Sequence, residues 1–419
     1  MSERKRIYLC LAHMSEEGLE QKYIQEAFDT NWVVPLGPNV NGFEKDLEAF
    51  VGQNKRVVAL SAGTAAVHLA LIACGVGPGD EVLVQSFTFC ASSHPITYLG
   101  ATPVFIDSEK DTWDMDPDLL EEAIKDRMAK TGKKPKAIVP VALYGMPYKI
   151  DRIMVIANQY DIPVIEDAAE GFGSRYKGRV LGTFGKYGVL SFNGNKMITT
   201  SGGGALITAN EEEWREIMMY ATQYRESYPY YQHEKIGYNY RMSNICAGIG
   251  RGQMTVAQEH ISHHKHVQKL YEELFKDVPG IKVHSQPATG EYDSNYWLCT
   301  ITLDPDLKIM GQENAYKTIV KGAVGGAAGV IHVADSATTD CQPNDNVEAL
   351  RVCLDTAGIE ARPVWKPMHK QPVYAGTPAY VNGVSESIFK VGMCLPAGPY
   401  VTDEDVRYIV ETIKSAIIP

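Results

Sequence analysis

The chain reads as an α/β protein: a large domain with a mostly parallel sheet covered by helices, then a smaller α+β domain. Three observations lead there. Strand-like runs alternate with helical stretches at βαβ spacing through the first half. The 419 residues, 45% of them hydrophobic, are too many for one small domain and enough for a sizeable core. The chemistry-bearing residues fall just beyond strand ends, where open α/β sheets bind ligands. The expected division is 1–262 for the N-terminal segment and large domain, and 263–419 for the smaller one.

In order, residues 15–29 carry alternating acidic and apolar positions and read as a helix, and 31–39 as a loop by Pro and Gly content. A helix over about 43–51 leads to a strand at 56–60. Strand-like runs recur at 81–89, 102–107, 136–144, 163–167 and 187–192, with helices at 117–130 and 150–160. The tyrosine-rich segments 224–231 and 237–242 fit an interface or a plain loop. His260 and His264 share one helix face, but no acidic or cysteine cluster accompanies them, so a solvated face is expected and no metal site. Residues 322–345 are Gly- and Ala-rich, then polar, and read as a flexible loop inserted in the smaller domain. Helices follow at 347–358 and 403–417.

Composition narrows the classes. A net charge of −11 argues against a nucleic-acid surface. It leaves a phosphorylated ligand open, because backbone amides hold phosphate without net positive charge. The eight cysteines include no C-x-x-C pair, which favours reduced thiols, a cytoplasmic protein and no structural zinc. No run of eighteen apolar residues offers a membrane span, and the N-terminus lacks the apolar core of a signal peptide.

The stretch from Val189 to Gly204 organises the rest. A buried strand ends at Ser191-Phe192, a polar turn follows with Asn193, then Lys196, then Gly202-Gly203-Gly204. A lysine there is in place to bond covalently to a ligand above the sheet, although a lone lysine after a strand is more often a solvated loop residue. The glycines permit a tight turn or a close backbone approach. Upstream, Gly63-Thr64-Ala65 opens an Ala-rich helix at a strand end: an ordinary βα turn, or a phosphate site made of free N–H groups and the helix dipole. It lacks the glycine spacing of a dinucleotide site and the lysine of a P-loop, which leaves a Rossmann oxidoreductase poorly supported.

Pyridoxal phosphate poses a physical problem that these residues answer together. A lysine must form an imine with the aldehyde. A carboxylate must face the ring nitrogen so the ring can act as an electron sink. Amides and hydroxyls must hold the phosphate, and an aromatic must cover the ring. Lys196, Asp167, Gly63-Thr64-Ala65 with Ser191, and Phe89 supply those parts in turn.

Ser61-Ala62-Gly63-Thr64-Ala65-Ala66, Glu166-Asp167-Ala168-Ala169-Glu170, Ser191-Phe192 with Lys196, and Gly237-Tyr238-Asn239-Tyr240-Arg241-Met242 resemble the DegT/DnrJ/EryC1/StrS sugar aminotransferases over nearly the whole chain. The resemblance implies the aspartate-aminotransferase-type fold (fold type I), pyridoxal 5'-phosphate as cofactor, and a homodimer with shared sites. It implies Lys196 as imine-forming lysine and general base, Asp167 at the ring nitrogen, Glu170 near the ring hydroxyl and Phe89 stacked on the ring. Thr64, Ala65 and Ser191 would contact the phosphate, with Asn239 reaching it from the other subunit. A related dehydratase branch carries histidine at the lysine position, so Lys196 points to transamination.

Asn193, where the family commonly has histidine, together with Trp365-Lys366-Pro367-Met368-His369, looks most like the UDP-sugar C4 aminotransferases of the bacillosamine pathway. The reaction implied moves an amino group from glutamate to a UDP-2-acetamido-4-keto-6-deoxy sugar. By the same resemblance Asn31, Trp32, Val33 and Val34 line the substrate pocket with Trp365–His369. Alternatives are a legionaminic-acid-pathway intermediate, a GDP- or dTDP-linked keto sugar, and a non-catalytic binding protein on the same fold, against which intact Lys196 and Asp167 count.

Overall fold

A computed structural model describes residues 5–316 and 341–418. Two four-stranded ladders form its large sheet. One runs Arg56–Leu60, Gly204–Thr208, Tyr187–Ser191, Ile165–Asp167; the other Ala137–Val139, Glu81–Gln85, Thr102–Ile106, Ala379–Tyr380. Parallel bridges Ile138–Val164 and Val141–Asp167 join them. Only Gly204–Thr208 runs antiparallel to its neighbours. The strands are nearly uniform apolar runs because both faces are covered. Val57 and Ala59 pack with helices Pro38–Val51, Pro117–Thr131 and Ile150–Gln159, whereas Val58 and Leu60 face helices Gly63–Ala73 and Glu211–Ala221.

The smaller sheet is antiparallel, in the order Ile281–Val283, Cys299–Leu303, Gly392–Leu395, Arg362–Pro363. Its core takes in helices Asp345–Thr356 and Asp403–Ala416. Helix Asn244–Phe275 runs unbroken past residue 262. Its Ala257 and Ile261 belong to the large core, and its Val267, Tyr271 and Phe275 to the small one. Packing therefore changes sides in mid-helix. Ile7 also joins the small core and pairs with Ile359, so the chain there packs with the smaller domain rather than the large one with which it was grouped.

Several element boundaries differ from the sequence reading for identifiable reasons. The helix expected from about 43 begins at Pro38, because proline suits the first helical position where no N–H is needed. The 136–144 run is a ladder only over 137–139. Pro140 interrupts it, and Tyr144 turns into left-handed backbone (φ 53°) in a short helical turn. The 81–89 strand ends at Gln85, leaving Phe89 in a loop. His260 and His264 are buried rather than solvated, since their face of the long helix packs inward. The expected insertion at 322–345 lies outside the described residues up to 340, and Asp345 starts a helix.

Candidate active site

A cavity of about 340 Å³ opens beyond the C-terminal ends of the large sheet's parallel strands. Gly63, Thr64, Phe89, Asp167, Glu170, Ser191, Asn193, Lys196 and Trp365 all line it. Residues from across more than three hundred positions thus converge on one crevice.

The floor is built from strand ends. In Ile165–Asp167, alternation sends Glu166 and Asp167 to opposite sides. Glu166 is structural: it accepts hydrogen bonds from the amides of Gly182 (3.0 Å), Phe184 and Gly185 (2.6 Å each) and from the Tyr148 hydroxyl. Asp167 faces the cavity. Its carboxylate accepts from Ser92 Oγ at 2.6 Å and from the Ala169 amide at 3.1 Å. Burial pushes its pKa above the usual carboxylate value, while these donors and Lys196 hold it down. A nearby cation on a ligand would favour the charged form. Ser92 is bonded in turn to Thr88 Oγ1 at 2.8 Å.

Lys196 Nζ lies 3.3 Å from Glu170 Oε1 and 3.9 Å from the centroid of the Trp297 ring. Glu170 is buried, which raises its pKa; the Lys196 charge and the Tyr144 amide, donating to Oε2 at 2.8 Å, oppose that rise. The turn at Tyr144 thus delivers an N–H to this carboxylate. Tyr144 Oη accepts from the Trp365 amide at 2.7 Å, which carries the order outward to the 365–369 loop.

The anion cradle is the first turn of helix Gly63–Ala73, with Ala65 buried in it. A Cβ on Gly63 would sit 3.0 Å from the Ser191 Cβ, so glycine allows the serine and the helix start to meet. A Cβ on Gly204 would come within 2.4 Å of the Ala62 carbonyl carbon and the Gly63 nitrogen. Uncommitted N–H groups, the helix dipole and the Thr64 and Ser191 hydroxyls fit a phosphate. With Asp167 for a ring nitrogen and the Lys196 amine in the same cavity, the donor set fits pyridoxal phosphate.

Phe89 is half exposed at the mouth, its ring 5.4 Å from that of Trp365 and tilted 52°. Other expected residues are placed elsewhere. Met368 is buried against the large-domain core. His369 bonds Ser86 Oγ through Nδ1 at 2.6 Å, while Lys366 is partly buried and Pro367 buried, both outside the cavity lining. Asn31, Trp32, Val33 and Val34 are exposed, with Asn31 in left-handed backbone; Asn244 ties the carbonyls of Trp32 and Val34 to the start of the long helix. Asn239 is exposed on a bridge to Thr222, away from this cavity. The sequence reading missed Ser92, Tyr144 and Trp297. Ser92 follows Phe89 closely enough to have been noticed, but nothing local marks the other two. Among the described residues no cluster of His, Cys, Asp or Glu could hold a metal ion, and no helix is long and apolar enough to cross a membrane.

This fold and crevice define a pyridoxal-phosphate-dependent aminotransferase of the fold type I class. The DegT/DnrJ/EryC1/StrS aminotransferase family model matches residues 14–318 and 330–414, and the chain belongs to that family. It is 42% identical to the putative pyridoxal phosphate-dependent aminotransferase EpsN of Bacillus subtilis, over 98% of this chain and 95% of the relative. It is 33% identical to GDP-perosamine synthase of Escherichia coli O157:H7, over 97% and 98%. Among solved structures, a family aminotransferase from Brucella abortus superposes with a TM-score of 0.80 at 27% identity, covering 95% of each chain. The chain is thus an enzyme that transfers amino groups to nucleotide sugars with pyridoxal 5'-phosphate.

Proposed function

We propose that the enzyme moves an amino group from glutamate to C4 of a UDP-2-acetamido-4-keto-6-deoxy sugar, giving the UDP-4-amino-4,6-dideoxy-N-acetyl sugar. The catalytic reading rests on one observation: Lys196 Nζ stands beside Glu170 in the cavity that Asp167 also faces. The cofactor, when bound, supplies an electron sink that stabilises negative charge at the carbon losing its proton. Lys196 Nζ takes the proton from the donor Cα and delivers one to the sugar C4, as the amine that lines the cavity with Asp167 and Glu170. Asp167 would hold a ring-nitrogen proton of the cofactor, and its burial would strengthen that pairing. Glu170 orients Lys196 between transfers. Gly63, Thr64, Ala65 and Ser191 would seat the cofactor's phosphate, and Phe89 would cover its ring. Asn239, exposed and away from its own cavity, suits a contact made across a homodimer.

The sugar assignment is supported by Asn193 at the cavity edge and by the Trp365–His369 loop, whose tryptophan reaches the cavity. A GDP-linked keto sugar is the second reading, favoured by the identity to GDP-perosamine synthase over nearly the full length. The test is a half-reaction. Enzyme loaded with pyridoxal phosphate is treated with glutamate, freed of donor, and offered 4-keto sugars on UDP, GDP and dTDP in turn. Return of the visible cofactor absorbance with the UDP sugar alone supports the assignment; return with the GDP sugar alone replaces it.

A further inference from the structure

Lys196 follows a turn in which Asn193, Gly194 and Asn195 are all exposed. No regular element carries the lysine, and the only backbone bond within the turn is its own amide to the Asn193 carbonyl at 3.0 Å. An amine that moves protons between two defined carbons needs a fixed origin, because a displacement of about 1 Å costs on the order of 100-fold in rate. Something outside the turn must hold it.

The carbonyls of both residues next to Lys196, Asn195 and Met197, are held by buried rings from distant elements. The Trp297 indole N–H donates to the Asn195 carbonyl at 2.7 Å. His260 Nδ1 lies 3.2 Å from the Met197 carbonyl. A carbonyl only accepts, so Nδ1 carries the hydrogen and the imidazole is the neutral Nδ1–H tautomer. His260 Nε2 is buried without a partner, and burial lowers the ring's pKa, in keeping with that neutral form. The Trp297 face also receives the lysine ammonium.

Trp297 is itself clamped. Its amide donates to Asn295 Oδ1 at 2.8 Å, and the Asn295 Nδ2 reaches the carbonyls of Glu170 and Phe172, at 2.9 Å each. One turn along the long helix from His260, His264 Nδ1 lies 3.1 Å from the Tyr296 carbonyl. Tyr296 is in left-handed backbone (φ 49°), a strained geometry for a bulky residue that this carbonyl contact helps retain.

We propose that Trp297 and His260 are positioning residues for Lys196: they hold the carbonyls of the residues before and after it, and Trp297 gives its ammonium a resting place over the indole. The buried face of the long helix thereby acts on the reaction through the lysine, without touching substrate. The inference rests on Lys196 being the lysine that carries the cofactor.

The experiment compares wild type with Trp297→Phe, Trp297→Leu, His260→Gln and His260→Leu. The holoenzyme of each is first reduced with borohydride and peptide-mapped. Label away from Lys196 in wild type refutes the underlying lysine assignment. Label on Lys196 with no further effect refutes only the positioning role. Kinetics of the glutamate half-reaction then read the brace. His260→Leu and Trp297→Phe are expected to lower kcat about tenfold or more with KM little changed. Glutamine, which can still donate to the Met197 carbonyl, is expected to recover most of that loss. Trp297→Leu, which removes both the indole N–H and the ring face, is expected to lose at least as much as Trp297→Phe. Equal losses in His260→Gln and His260→Leu that track Tm would show packing alone and overturn the proposal. So would wild-type kcat in His260→Leu.

Discussion

Gly202, Gly203 and Gly204 follow the reactive lysine, and they are not equivalent. Gly204 pairs with Leu60 and with Ser191 in the large sheet, directly under the first turn of helix Gly63–Ala73. In Gly204→Ala the new methyl would meet the Ala62 carbonyl carbon and the Gly63 nitrogen at 2.4 Å. Both are backbone, so neither can swing aside as a side-chain end could. Restoring an ordinary carbon contact of about 3.5 Å requires the helix start to retreat by about 1 Å. Overpacking of this kind costs about 1–3 kcal/mol of stability. It also draws the amides of the cradle away from the phosphate. Losing one hydrogen bond to a charged group costs about 1.5–3 kcal/mol. Pyridoxal phosphate affinity should therefore fall about tenfold to hundredfold. Gly202→Ala is the control, because its methyl would meet nothing within 4 Å. The assay is titration of cofactor-free protein with pyridoxal phosphate, followed by absorbance, with Tm in parallel. Gly204→Ala binding the cofactor as tightly as Gly202→Ala would refute the placement of the phosphate at this helix start.

Three further outcomes are expected. Lys196→Ala should abolish turnover while circular dichroism and Tm stay near wild type; turnover with excess glutamate would refute the lysine's role. Arg241→Met should destabilise by about 3–5 kcal/mol in urea unfolding. Arg241 Nη1 pairs with the buried Glu44 Oε1 at 2.5 Å, and removing it strands a carboxylate that also holds the Ala59 amide. Adding Glu44→Gln should recover part of the loss, and no recovery would count against a stranded charge as the cause. His264 has a pKa pushed down from 6.5 to about 3 by burial. Between those values the unfolded chain binds a proton that the folded chain refuses, so stability falls as pH drops through that window, by about 1.4 kcal/mol per unit. His264→Gln should flatten the decline between pH 6.5 and 5 by about that slope, and an unchanged slope would refute it.

What could be read from the sequence was local and periodic. The strand at 56–60, the helix opening at Gly63 and the lysine after the strand at 187–191 each announce themselves within about ten residues, and each lies at or within a residue of its expected place. The close backbone approach offered as one reading of the triple glycine is real, but only the geometry shows that Gly204 makes it against the helix start while Gly202 meets nothing. What escaped reading depends on distance along the chain. Trp297 is about a hundred residues from the lysine it supports, and a buried tryptophan in a smaller-domain segment looks like core until the turn at Asn195 is seen to end on its indole. His260 and His264 misled for a related reason. Their spacing correctly puts them on one helix face, but a pattern cannot say what that face meets. Histidines in a charged-looking run pass for solvated ones, yet here each ring donates to a carbonyl of a segment bearing an active-site residue, and burial keeps it neutral for that task. The helix that joins the two cores therefore also sets the catalytic turn. It is this shared use of one element that hides the second role, because packing alone is enough to explain why its residues are apolar or buried.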